Sequence, residues 1–116
     1  MLEKIEKLLK TLNIDLGYQI YNGNADEYII FDIVSEHDTT FADDVNLEEK
    51  KYITINYWHK SKSGIKKYKE IKKLFKKNDF FFDSMKTLSR SSGVYDSADE
   101  FYGKNFVFTM EELSNE

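Results

Sequence analysis

The sequence predicts an α+β domain in which a mostly antiparallel four-stranded sheet is flanked by two helices, in the order α-β-β-α-β-β. Three observations predict it. Two stretches carry apolar residues at helical spacing between charges. Four others are runs of β-branched and aromatic residues. The stretches between them are marked by glycine, asparagine and serine, with no proline anywhere. The 116 residues are 41% hydrophobic and 16% aromatic, enough for one core, and amount to one domain's worth of chain. That domain is expected over residues 1–110, with EELSNE, 111–116, as a flexible acidic tail.

Leu2, Ile5, Leu8, Leu9 and Leu12 recur at helical spacing, which predicts a short amphipathic helix ending near Asn13. Gly17 and Asn22-Gly23-Asn24 mark turns around a short extended segment, Tyr18 to Tyr21. EYIIFDIVSE, 27–36, is the best strand. Both of its faces are largely apolar, so it is expected to be covered on both sides, by a helix on one and a neighbouring subunit on the other. Residues 37–50 read as a long acidic loop anchored by Phe41, Val45 and Leu47. A second strand covers 51–59, KYITINYWH.

A second helix then spans Ser63 to Lys77, with Ser61 or Ser63 as N-cap. Its expected buried stripe is Ile65, Tyr68, Ile71, Leu74 and Phe75. Phe80-Phe81-Phe82 opens a third strand running to Leu88, SRSSGVYDSADE forms a second long loop, and 101–110 is the fourth strand. The second strand, basic helix and third strand are candidates for a parallel crossover unit.

Cysteine is absent, which excludes a disulfide framework, a thiolate nucleophile and a cysteine zinc site. MLEKIEKLLK lacks the unbroken apolar stretch of a secretory signal. The apolar run Tyr28 to Phe31 stops at Asp32, so no membrane span is expected. These features predict a soluble protein made inside the cell.

Catalytic chemistry finds little support. His37 and His59 each sit at an expected strand end and read as polar end residues. Asp38, Asp43 and Asp44 lack the ligand spacing and turn glycine of a calcium loop. Ser89, Ser91 and Ser92 have no nucleophile-elbow context. Ser61-Lys62-Ser63-Gly64 is no phosphate loop, since G-x-x-x-x-G-K-[ST] is absent. The expectation is no enzyme, no catalytic residue, no metal and no cofactor.

Charge is distributed in blocks. Residues 1–10 carry +1, 11–49 carry −10, 50–90 carry +10 and 91–116 carry −5, which returns the net −4. Three readings compete: solvated faces, a surface for nucleic-acid phosphates, and self-association of an acidic with a basic surface. Sixteen Lys against the single Arg90 is a poor set for reading base edges, so any nucleic-acid contact is expected to be nonspecific and salt-sensitive.

The amphipathic opening helix, EYIIFDIVSE, FADDVNLEEK, KYITINYWHKSKSG leading into IKKYKEIKKLFKK, and Ser92 to Tyr95 before FYGKNFVFTM follow one another in an order that resembles a family. It is that of the tail-terminator (tail-completion, head-tail joining) proteins of bacteriophages and prophages. The likeness covers nearly the whole chain and rests on element order, not on a catalytic motif. It implies an α+β structural virion protein without catalytic residues, forming a ring, usually a hexamer, on the head-proximal end of the tail tube. Such a ring stops tube polymerisation and presents the head-docking surface. The implied partners are other copies of the chain and the tube protein, with sheath and head-connector or neck proteins beside them and no membrane. The implied location is the virion tail, or a phage-tail-like bacteriocin, with synthesis in the bacterial host cytoplasm. A neck protein and a small Lys-rich nucleic-acid-binding accessory protein are the alternatives.

In such a ring, Asp43, Asp44, Glu48 and Glu49 of one subunit are expected to face Lys66, Lys69, Lys73 and Lys77 of the next, with Arg90 making a forked contact across a junction.

Overall fold

The computed structural model describes residues 2–37, 47–88 and 101–114. Among them the chain forms helix α1 (Leu2–Lys10), strands β1 (Asp15–Tyr18), β2 (Glu27–His37) and β3 (Leu47–His59), a 3-10 turn (Lys62–Ile65), helix α2 (Lys66–Lys77), and strands β4 (Phe81–Leu88) and β5 (Tyr102–Ser114). The architecture is α+β, with two helices on a mostly antiparallel sheet. That sheet has five strands, in the order β1-β2-β3-β5-β4.

The fifth strand is β1. Its residues Asp15 to Tyr18 pair in parallel with Tyr28 to Phe31. A parallel return normally needs a dozen or more residues. Here the strand is only four residues long, so eight residues, about 26 Å of extended chain, suffice to come back. Gln19 turns the chain at φ 68°, and its N–H donates to the Phe31 carbonyl at 2.8 Å. The extended segment expected at Tyr18 to Tyr21 therefore lies three residues earlier.

α1 forms because Ile5 and Leu9, one turn apart, both reach the core. Lys7 and Lys10 complement the dipole of its last turn. It ends where the Thr11 hydroxyl donates to the Leu8 carbonyl at 2.6 Å and Asn13 takes φ 58°.

β2, β3 and β5 run antiparallel in unbroken register, with Ile55 opposite both Phe31 and Phe106. β3 begins at Leu47 and β5 continues to Ser114. Glu48 and Glu49, expected in a loop, are therefore strand residues paired with Leu113 and Glu112. The boundary expected at 110 likewise moves outward. Each extension is held by the ladder of its partner and not by an apolar pattern of its own. β3 and β4 run in the same direction, as a crossover requires, but β5 is inserted antiparallel between them.

One face of the sheet is covered by both helices. Ile29, Phe31, Ile53, Ile55, Tyr57, Phe106 and Phe108 meet Ile5, Leu9, Ile71 and Phe75 there, and all are at most 1% exposed. Phe75 stacks on Phe108 with centroids 4.6 Å apart and meets Phe80 edge-on at 5.2 Å. Phe80 is buried just before β4, whereas Phe81 is 69% exposed, so the three phenylalanines do not act as one strand opening. Ile65, expected in the buried stripe of the second helix, lies in the 3-10 turn and is 52% exposed.

Candidate assembly surfaces

Among the described residues, no helix lies over the second face of the sheet. Strand alternation places Tyr28, Ile30, Asp32 and Val34 of β2 there, beside Tyr52, Thr54, Asn56 and Trp58 of β3 and Asn105, Val107 and Thr109 of β5. Most of these are half-buried, and Val34 is 49% exposed. Tyr21 stacks on Tyr28 at 4.2 Å, and Phe101 meets Tyr28 edge-on at 5.5 Å, so aromatic rings fringe one end of this face. In its middle the Asn105 amide donates to the Asn56 side-chain oxygen at 2.7 Å, which satisfies the buried amide of Asn105.

Trp58 lies across Gly103, its partner on β5. A Cβ on Gly103 would come within 2.5 Å of the indole, so glycine is what lets the ring lie down on the strand.

The surface of α2 is of another kind. The Ser61 hydroxyl accepts from the Ser63 N–H at 3.2 Å and caps the turn that leads into the helix. Ile71 and Phe75 point to the core, with Tyr68 and Leu74 flanking them. Lys66, Lys69, Lys73 and Lys77 are all exposed on the outward side. Other lysines are committed within the molecule. Lys67 pairs with Glu27 at 3.3 Å, Lys60 pairs with Asp26 at 3.5 Å, and the Lys72 ammonium sits 4.2 Å from the Phe82 ring centroid.

The structure brings the four expected lysines onto one helix face, and it places Glu48 and Glu49 on a different element, near the start of β3. Ten residues separate Glu49 from His59, about 34 Å of strand. Asp43, Asp44 and Arg90 lie outside the described residues.

A third cluster joins the end of β3 to α2. His59, expected as a polar strand-end residue, is 1% exposed. Its imidazole stacks between Tyr57 at 4.8 Å and Tyr102 at 5.5 Å. Nδ1 lies 2.7 Å from the Ser61 carbonyl, which can only accept, so Nδ1 carries the proton in the neutral ring. Nε2 then accepts from the Tyr68 hydroxyl at 2.7 Å. Beside it the Tyr57 hydroxyl donates to Glu27, which also pairs with Lys67. Burial, reinforced by the Glu27 carboxylate, pushes the Tyr57 phenol far above its ordinary range, and burial raises that of Tyr68.

This arrangement keeps both ring nitrogens occupied, and the bond to Tyr68 pins α2 to the sheet. The signal for it was present in the sequence. Tyr57 and His59 alternate in step with Ile53 and Ile55, which places them on the core face.

Among the described residues no three His, Asp or Glu side chains are grouped to hold a metal ion, and no helix is long and apolar enough to cross a membrane. Comparison with known proteins returns no matching family model and no matching curated protein.

Proposed function

We propose that this chain is a structural subunit of tail-terminator type, which assembles as a ring, six-membered in the simplest case, to cap the head-proximal end of a tail tube and offer a docking surface to the head. The observation that carries this reading is β2, which is apolar on both faces and, among the described residues, has helices over only one. Tyr28, Ile30 and Val34, with Tyr52, Trp58 and Val107 beside them, form a mixed aromatic and aliphatic surface of the sort that protein contacts bury. Three strands spaced about 4.8 Å apart and seven residues at about 3.4 Å make that face roughly 10 by 24 Å along the backbone.

The second support is the separation of charge. Glu48 and Glu49 belong to β3 and the lysines to α2, different elements of one copy. A ring contact joins two different surfaces of neighbouring subunits, so such a polar subunit suits it. In this reading the open sheet face supplies the subunit contact.

Light scattering after gel filtration tests the proposal. Six copies of 13.8 kDa give about 83 kDa. An oligomeric mass of that order supports the ring. A monomer that also fails to bind the end of a purified tail tube removes it.

A further inference from the structure

We infer that the outward face of α2 is a binding surface for the phosphate backbone of duplex DNA, a function separate from subunit assembly. The helix carries seven lysines and one acid, Glu70, in twelve residues. With the buried side centred on Ile71 and Phe75, Lys66, Lys69, Lys73, Lys76 and Lys77 fall within about 100° of arc on the opposite side. All five are exposed, and none has an acidic partner within salt-bridge distance among the described residues. The lysines that do have intramolecular partners, Lys67 and Lys72, flank this ridge and do not belong to it.

Lys66 to Lys77 spans about 16 Å of helix, beside which a duplex presents about nine phosphates on its two strands. Like charges at three- and four-residue spacing repel within the isolated helix. A polyanion laid along the ridge relieves that repulsion and releases its own counterions.

Two features favour DNA over an acidic segment of a second copy. The ridge is a straight line, which matches a linear polyanion, whereas the three-stranded end of the sheet that carries Glu48 and Glu49 is about 10 Å wide and covers only part of it. The ridge is also built entirely of lysine. A hydrated, mobile ammonium suits loose contact with many phosphates, whereas fixed carboxylate pairs across protein interfaces favour the arginine fork. The absence of arginine from α2 equally predicts binding without sequence preference.

The test is fluorescence anisotropy of a labelled mixed-sequence duplex of about 30 base pairs, titrated with the full chain between about 50 and 200 mM salt. Five phosphate contacts predict a log–log salt slope of about −4 to −5. The variant K66Q/K69Q/K73Q should flatten that slope by about 2.7, while K7Q/K10Q on α1 leaves it unchanged. Circular dichroism confirms that these surface variants fold, and light scattering reads their mass. No binding at the lowest salt overturns the inference, as does an unchanged slope in the triple variant. A triple variant that loses oligomeric mass where the wild type never bound DNA assigns the ridge to a second copy. A monomeric wild type that binds DNA with the expected slope removes the ring and leaves the inference standing.

Discussion

Trp58 rests on Gly103, close enough that a single added carbon would meet the indole at 2.5 Å. The pair sits on the face of the sheet opposite the helices, and Trp58 is the only tryptophan in the chain. Gly103→Val should lift the ring into solvent, shift tryptophan emission to the red and destabilise the fold by about 1–3 kcal/mol. Urea titration followed by fluorescence reads both effects.

The same tryptophan reports on assembly. If the open face is the subunit contact, emission moves to the blue as protein concentration rises through the association range. Ile30→Lys or Val107→Lys should abolish that shift and the oligomeric mass, while changing monomer stability by about 1 kcal/mol or less. Sedimentation of each variant beside the wild type checks the mass.

Removing His59 should be costly, although it sits at a strand end. His59→Ala opens a cavity between two tyrosine rings and leaves the Tyr68 hydroxyl and Ser61 carbonyl to find new partners. We expect a loss of about 2–4 kcal/mol in chemical denaturation. Gly64→Ala should act on the same cluster from the other side, because its Cβ would lie 2.5 Å from His59 Nδ1 and 2.8 Å from the Tyr57 hydroxyl.

Tyr57 makes stability depend on alkaline pH. Its phenol is held neutral by burial and by Glu27, so its folded pKa is raised. The stabilisation is complete below the ordinary tyrosine value near pH 10. Above that value the unfolded chain releases the proton and the folded chain retains it. Stability then falls by up to about 1.4 kcal/mol per pH unit. Tyr57→Phe should therefore show a shallower decline than the wild type in urea midpoints measured between pH 9 and 11.

Phe75 is the anchor of α2. Phe75→Ala removes the stack on Phe108 and the edge contact with Phe80, and should destabilise by about 3–5 kcal/mol. Loss of helical circular dichroism at a lower temperature than in the wild type checks it.

Much of this was legible in the residues. The helices announced themselves through Ile5 and Leu9, and through Ile71 and Phe75, which recur one turn apart. β2 and β3 showed the alternation and β-branching of strands. β1 escaped because four residues, one of them glycine, hold no period; the parallel edge of β2 makes it a strand. The first residues of β3 and the last of β5 escaped because LEEK and EELS carry no apolar alternation, and their strand state is borrowed across the ladder. For the lysine face, spacing alone was enough. The commitment of Lys67 and Lys72 was not visible, since it depends on Glu27 and Phe82, which only the fold brings near.

The insertion of β5 between β3 and β4 also sets the order in which the domain can be completed. Of the described elements, β5 comes last in the chain, yet it belongs next to the middle of the sheet. During translation β3 and β4 must wait with two facing edges unpaired until Tyr102 to Ser114 has left the ribosome. The sheet therefore closes only after synthesis has passed β5. A nascent chain stalled before that point displays its aromatic strands with open hydrogen-bonding edges, the state most prone to pairing with another copy.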